Sequence, residues 1–146
     1  MPCNTLVIGG GAAGLMAAIS AADRGDKVTL LEKNDRLGRK ILISGNGRCN
    51  LMNTDPDLAH FHGSNPVFAK NVLDAFTVDD TLAFFHDLGI DTRVERRGRV
   101  FPASNQATSV VRLLEDRAVR AGIEIVESAD ATDLTRGEGF TISTRD

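Results

Sequence analysis

One stretch dictates most of what this chain can become: Thr5 to Glu32. Leu6-Val7-Ile8 is a short apolar run with a β-branched pair, the pattern of a strand buried in a parallel sheet. Gly9-Gly10-Gly11 follows, with Gly14 in the next turn of chain. Ala12 to Arg24 reads as a helix that Gly25 stops. Lys27 to Leu31 resumes a strand, and Glu32 stands at its end. A strand, a glycine turn, a helix, a second strand and a terminal acid within about thirty residues form the context that turns a glycine pattern into a dinucleotide site.

Each position in the pattern has a physical task. Gly9 permits a tight turn out of the strand, and Gly11 lets the backbone come close to a pyrophosphate. Gly14 allows the helix to lie near the strands, with Ala18 keeping the same face narrow. The helix N-terminus offers free N–H groups and a partial positive charge to phosphates. Glu32 lies eighteen residues after Gly14 and can accept hydrogen bonds from ribose hydroxyls. An acid there disfavours a 2′-phosphate and argues against NADP in this particular site. A glycine-rich turn can also serve close packing alone; here the strand, helix, second strand and acid all agree on a ligand.

At 146 residues, with 42% hydrophobic and 25% charged side chains, the chain has enough apolar material for one ordinary globular domain with a real core. Its net charge of −3 gives no reason to expect a nucleic-acid partner. Cys3 and Cys49 make no disulfide framework, so reduced thiols in a cytoplasmic protein are expected. The apolar run from Leu15 to Ala22 lacks a basic leader and follows a glycine triplet, so no targeting segment is expected. It is also too well explained as a helix between strands to span a bilayer, so no membrane association is expected.

A simple NAD-binding domain would continue soon after Glu32 with a helix and a third strand. Instead come Gly38-Arg39-Lys40, Ile41-Leu42-Ile43 and Ser44-Gly45-Asn46-Gly47-Arg48-Cys49-Asn50. Two glycine-rich loops in succession suit a long ligand extended across the sheet edge, as FAD is. Arg39, Lys40 and Arg48 can neutralise phosphates or an anionic flavin, or can simply belong to a solvated basic loop.

These blocks carry a specific resemblance. G-G-G-A-A-G-L-M-A-A, L-L-E-K-N-D-R-L-G-R-K and S-G-N-G-R-C-N-L-M-N resemble the BaiN-like (YhiN-like) flavoproteins of the two-dinucleotide-binding superfamily. Gly98-Arg99-Val100-Phe101-Pro102 and the helix after it look like that family too, so the likeness covers essentially the whole chain. It implies an α/β, Rossmann-like FAD-binding domain with parallel strands, helices and β-hairpin insertions. It also implies non-covalent FAD and an NAD(P)H-linked oxidoreductase; members are described as aminoacetone-oxidase-like or as reductases of unsaturated steroid-type substrates. By position, Gly9, Gly11, Ala12, Ala13 and Gly14 would hold the pyrophosphate, with Glu32 and Lys33 at the adenosine ribose. Arg39 and Lys40 would lie along the cofactor, and Ser44, Gly45, Gly47, Arg48, Cys49 and Asn50 near the flavin end. Met52 departs from the family, where threonine is frequent.

The rest of the chain supplies a scaffold. Residues 53–64 read as loop, and His60 and His62 lack the further Cys or carboxylate that a metal site requires. Asn65 and Pro66 open a helix running to about Phe76, and Thr77 with Asp80 forms a capping box for a second helix ending before Gly89. Phe68, Val72 and Phe76 share a face and are expected to be core for a small helical layer. Ile90 to Phe101 reads as a hairpin turning at Arg97-Gly98, its Arg93, Arg96, Arg97 and Arg99 forming a solvated tip. Ala107 to Arg120 is a helix with Val111, Leu114 and Ala118 on one face, Gly122 its stop and Ile123 to Val126 a parallel-type strand. Ala131–Leu134 and Phe140–Ser143 make a last hairpin.

Three segments are therefore expected: 1–53 with the first strand–helix–strand unit and flavin loop, 54–106 as an inserted helical and hairpin segment, and 107–146 with a helix, a third strand and the start of a β-meander. The resemblance implies that together they amount to one FAD-binding domain that stops before the later strands of its superfamily, so the remainder of a longer polypeptide is expected to be needed to complete it. The third strand should pair with the Val28 strand, leaving the Leu6 strand at the edge. No side chain stands out as a catalytic acid or base, and Cys49 has no partner thiol. The alternative is a non-catalytic dinucleotide-binding fragment or module.

Overall fold

The computed structural model of the chain describes residues 4–65 and 67–145. In chain order the elements are β1 (Asn4–Ile8), α1 (Ala12–Asp23), β2 (Lys27–Leu31), α2 (Arg39–Ile43), β3 (Met52–Asn53), α3 (Val67–Ala75) and α4 (Val78–Asp87). There follow β4 (Thr92–Val94), β5 (Arg99–Pro102), α5 (Ala107–Arg120), β6 (Glu124–Val126), β7 (Asp130–Arg136) and β8 (Phe140–Arg145). They form two compact units, one from the chain up to Leu42 and from Val111 onward, the other from Ile43–Val110. These boundaries differ from the three segments read off the sequence. Pairing explains the difference: β6 joins β2, and β3 joins β5.

The first unit is built on a parallel sheet in the order β1-β2-β6, with Val7 opposite Leu30 and Leu30 opposite Ile125. The expected strand order is therefore the observed one. β2 is the central strand, and its Val28, Leu30 and Leu31 are buried as a near-continuous apolar run. α1 presses Leu15, Ala18, Ile19 and Ala21 into the core. It ends at Arg24, where Gly25 (φ +90°) and Asp26 return their N–H groups to the carbonyls of Ala22 and Ala21. Arg117 of α5 pairs with Asp23 at the end of α1. β1 forms one border of the sheet, and its Leu6 and Ile8 are exposed. They face an open groove of about 810 Å³ whose other wall is Leu134, Phe140 and Ile142 of the β7–β8 hairpin.

In the second unit, β3, β5 and β4 form a small antiparallel sheet. The hairpin expected between Ile90 and Phe101 turns at Arg97 (φ +61°) and Gly98 (φ +69°). Val100, Phe101 and Pro102 of β5 are buried. Thr77 caps α4 with the reciprocal Asp80 bonds of a capping box, as its sequence requires. Pro66 lies outside the described residues. The aromatic face of α3 corrects the sequence reading: Phe68, Val72 and Phe76 are 71%, 59% and 42% exposed, and no residue of α3 is buried. Periodicity identified the helix and its apolar face, but an apolar face becomes core only where another element packs on it. Short elements also went unread, among them a 3-10 turn at Leu58–His60 within the stretch read as loop. The stretch Arg39–Ile43 is a helical turn, and Met52–Asn53 is a two-residue strand.

Candidate functional site

The handover from β1 to α1 shows what each glycine is for. Gly9 has φ +100° and donates its N–H to the Leu31 carbonyl at 2.7 Å, closing the turn against β2. A Cβ on Gly14 would sit 1.8 Å from the Gly9 carbonyl oxygen, so the first turn of α1 rests directly on the turn. A Cβ on Gly10 would meet Leu37 Cδ2 at 2.2 Å, because Leu37 folds back over the turn while the Gly38 N–H donates to the Gly10 carbonyl at 2.8 Å. Gly11 is different. It has φ −81° and ψ −174°, caps α1 without a side chain, and a Cβ there would meet nothing within 4 Å. Neither backbone strain nor packing requires glycine at this position. Beside it the N–H groups of Ala12, Ala13 and Gly14 belong to the first turn of α1, the positive end of that helix.

Glu32 points into the same turn. It is only 7% exposed, and its Oε2 accepts the Gly10 N–H at 2.7 Å. Its Oε1 accepts the Asn34 N–H at 2.8 Å and the Asn34 side-chain amide. The backbone is fixed from both sides, since Glu32 N–H donates to Val126 and Ala129 N–H donates to Glu32, each at 2.9 Å. Burial works to raise the Glu32 carboxyl pKa. The Asn34 and Gly10 N–H groups, the Asn34 amide and the charge of Lys33 outweigh it and hold the pKa below the ordinary glutamate value. Glu32 is thus an ionised, buried acid with its acceptor face at the glycine turn. Lys33 is exposed, and Arg39 and Lys40 open α2 with exposed side chains. Arg39 donates to the side-chain oxygen Oδ1 of Asn34.

The remaining residues singled out from the sequence lie in the second unit. The Ser44–Asn50 loop runs through left-handed conformations at Gly45, Asn46, Gly47 and Cys49. The N–H groups of Gly47 and Cys49 return to the Ser44 carbonyl at 3.1 and 3.0 Å. Gly45 is demanded by packing as well, for a Cβ would lie 2.9 Å from the Phe101 ring. Arg48 is held inside this unit: its guanidinium lies 4.1 Å from the Phe101 ring centroid, pairs with Glu95, and donates through Nε to Asn105 at 2.9 Å. Arg93 donates to the same Glu95 and Asn105, at 3.1 and 2.9 Å. Burial pushes the Cys49 thiol up, against a smaller opposing effect of its hydrogen bond with Ser44, so it stays protonated at neutral pH. Asn50, with its amide nitrogen turned toward them, donates to the Met52 and Val100 carbonyls at 3.1 and 3.3 Å. Among the described residues no group of His, Cys, Asp and Glu is arranged to hold a metal ion, and no helix is long and apolar enough to cross a membrane.

Sequence reasoning missed Asn34, Leu37, Glu95 and Asn105. Glu95 carried a signal, being the lone acid among Arg93, Arg96, Arg97 and Arg99. Asn34 and Leu37 carried none beyond lying between the acid and Gly38.

A parallel sheet whose first strand passes through glycines into a helix N-terminus, with the acid of the second strand facing that turn, is a Rossmann-like α/β fold. The family model "HI0933-like protein Rossmann domain" matches residues 3–146, and the chain belongs to that family, the BaiN/YhiN-like flavoprotein group its sequence blocks resemble. It is 47% identical over 139 residues to the 3-dehydro-bile acid delta(4,6)-reductase of Clostridium scindens, covering 93% of this chain and 34% of that protein. It is 32% identical over 133 residues to the ribosomal RNA dihydrouridine synthase of Haemophilus influenzae, covering 91% and 33%. The chain thus spans about one third of the length of these relatives. Among solved structures, the open conformation of a flavocytochrome c3 fumarate reductase superposes with a TM-score of 0.60 at 20% identity, over 94% of this chain and 28% of that one. With an RNA enzyme among its relatives, the net charge of this chain does not settle whether nucleic acid is a substrate.

Proposed function

We propose that this chain is the FAD-binding portion of an oxidoreductase that moves hydride to or from a small unsaturated organic substrate, with NAD(P)H as the electron donor. Gly11 carries the proposal. It is the one glycine of the first turn that neither φ nor a close neighbour explains, and it lies where a pyrophosphate would approach the N-terminus of α1. The residues present fit the group: an open backbone approach at Gly11, the N–H groups of Ala12, Ala13 and Gly14, and an ionised Glu32 suited to ribose hydroxyls. In this reading Gly9 and Gly14 shape the cradle, and Lys33, Arg39 and Lys40 border it. Ser44, Gly45, Gly47, Arg48, Cys49 and Asn50 serve the flavin end. When bound, FAD supplies hydride transfer at the flavin; the protein contributes binding, orientation and electrostatic tuning. The reductase relative supports a substrate with an unsaturated carbon–carbon bond, and the remainder of a longer polypeptide would supply its walls.

The test is the visible spectrum of the protein expressed from its complete reading frame. A yellow protein that releases FAD on denaturation, and is bleached by NADH or NADPH, supports the reading. A colourless protein that takes up no added FAD overturns it.

A further inference from the structure

The glycine turn does not hold the Glu32 carboxylate alone. Oε2 takes the Gly10 N–H, while Oε1 takes two donors from a single residue, the backbone N–H and the side-chain Nδ2 of Asn34. The other end of that amide accepts from Nη1 of Arg39, the first residue of α2. The Ser128 N–H binds the Asn34 carbonyl at 2.9 Å, so the backbone that carries the amide is itself tied down. Donors therefore run from Arg39 to Asn34 to Glu32, and meet at the carboxylate the one from Gly10. A guanidinium on its oxygen polarises an amide and strengthens the bond its nitrogen donates. An ionised carboxylate has about four acceptor positions. Three of them face Gly10 and Asn34, and these donors fix the direction of whatever acceptor capacity remains for a ribose.

We infer that Asn34 is a positioning residue of the cofactor site, and that Arg39 acts on that site through Asn34 rather than by contact with a phosphate. The inference rests on the reading of Glu32 as the ribose acceptor, and it changes the part assigned to Arg39. A direct phosphate contact and a relay both make Arg39 matter. They differ in whether its effect survives loss of Asn34.

The experiment is a double-mutant cycle in the protein expressed from its complete reading frame, using wild type, Asn34→Ala, Arg39→Met and the double variant. FAD affinity is read by flavin fluorescence, and the Glu32 carboxyl titration by carbon NMR without cofactor. Each single variant is expected to weaken FAD about tenfold, and the double variant also about tenfold rather than about a hundredfold. Glu32 should titrate at higher pH in each single variant, and no higher in the double variant than in Asn34→Ala. Additive losses, with Glu32 unmoved by Arg39→Met, would show Arg39 touching the cofactor itself and would overturn the relay. Unchanged affinity in Asn34→Ala would overturn the positioning role. A wild type that takes up no FAD overturns the underlying reading instead, and the NMR titration then still decides whether the relay exists.

Discussion

Gly11→Ala and Gly14→Ala add the same methyl group to neighbouring turns of backbone, yet they should fail in different ways. At Gly14 the new Cβ would lie 1.8 Å from the Gly9 carbonyl oxygen, about 1.2 Å inside the 3.0 Å that real Cβ atoms respect. The obstacle is backbone, so no rotamer change relieves it and α1 must move away from the turn. Helix propensity favours alanine over glycine by about 1 kcal/mol. Overpacking costs about 1–3 kcal/mol and sometimes more, and a backbone overlap of this size belongs at the upper end. Gly14→Ala should therefore lose about 2 kcal/mol or more, seen as a lower urea midpoint with an unchanged slope. At Gly11 the Cβ meets nothing in the protein, and the extended backbone suits alanine. The only stability loss is the poorer N-cap, about 1 kcal/mol or less. FAD affinity should instead fall roughly five- to a hundredfold, the equivalent of about 1–3 kcal/mol of steric conflict with an approaching phosphate. Urea denaturation and FAD titration of both variants separate the cases. Wild-type affinity in Gly11→Ala would refute the argument that its open side is where the ligand comes in.

Three further outcomes follow from named contacts. Because the Glu32 carboxyl is held below its ordinary value of 4.5, its contribution to stability is complete above that value and disappears as pH falls through the lower folded value; urea midpoints between pH 3 and 6 should drop less steeply in Glu32→Gln. Cys49, buried with its thiol pushed up, should react with a thiol reagent at neutral pH only as fast as the fold opens, and Cys49→Ser should leave flavin reduction largely intact; rapid labelling of the native protein would show the burial to be wrong. Thr77→Ala removes the capping box of α4 and should cost about 1 kcal/mol, with faster amide exchange in the first turn of that helix.

The parts of the fold legible in the sequence are those whose determinants are local. β1, α1 and β2 follow from an apolar run, a glycine stop and a second apolar run, and α5 from its stripe of Val111, Leu114 and Ala118. The order of the parallel sheet follows from the topological rules that link such units. What escaped was set by distant partners. Met52–Asn53 becomes a strand because Arg99 and Val100 offer it a ladder. Arg48, read as a cation for phosphates or flavin or as part of a solvated basic loop, has partners the sequence did not announce, Glu95 and Asn105, 47 and 57 residues away. The α3 stripe shows the opposite error, for Phe68, Val72 and Phe76 satisfy the helical period without acquiring a cover.

Function is most visible in what remains after the needs of the fold are subtracted. Gly9 is explained by its φ, Gly10 by Leu37 and Gly14 by the Gly9 carbonyl. Glu32 is not explained in that way, since it follows the buried Leu30 and Leu31 and is itself nearly enclosed. An acid there must overcome desolvation, which an apolar side chain would avoid. The chain counters that cost with the N–H groups of Gly10 and Asn34 and the Asn34 amide, enough to keep the acid ionised. Gly11 and Glu32 thus meet at the same turn, one an opening without a steric purpose and the other a buried charge that ties the turn through Gly10 and Asn34 at a desolvation cost an apolar residue would avoid. An open glycine and an ionised acid that converge on one helix N-terminus are the physical ground for the proposal that a phosphate-bearing, ribose-bearing ligand binds there.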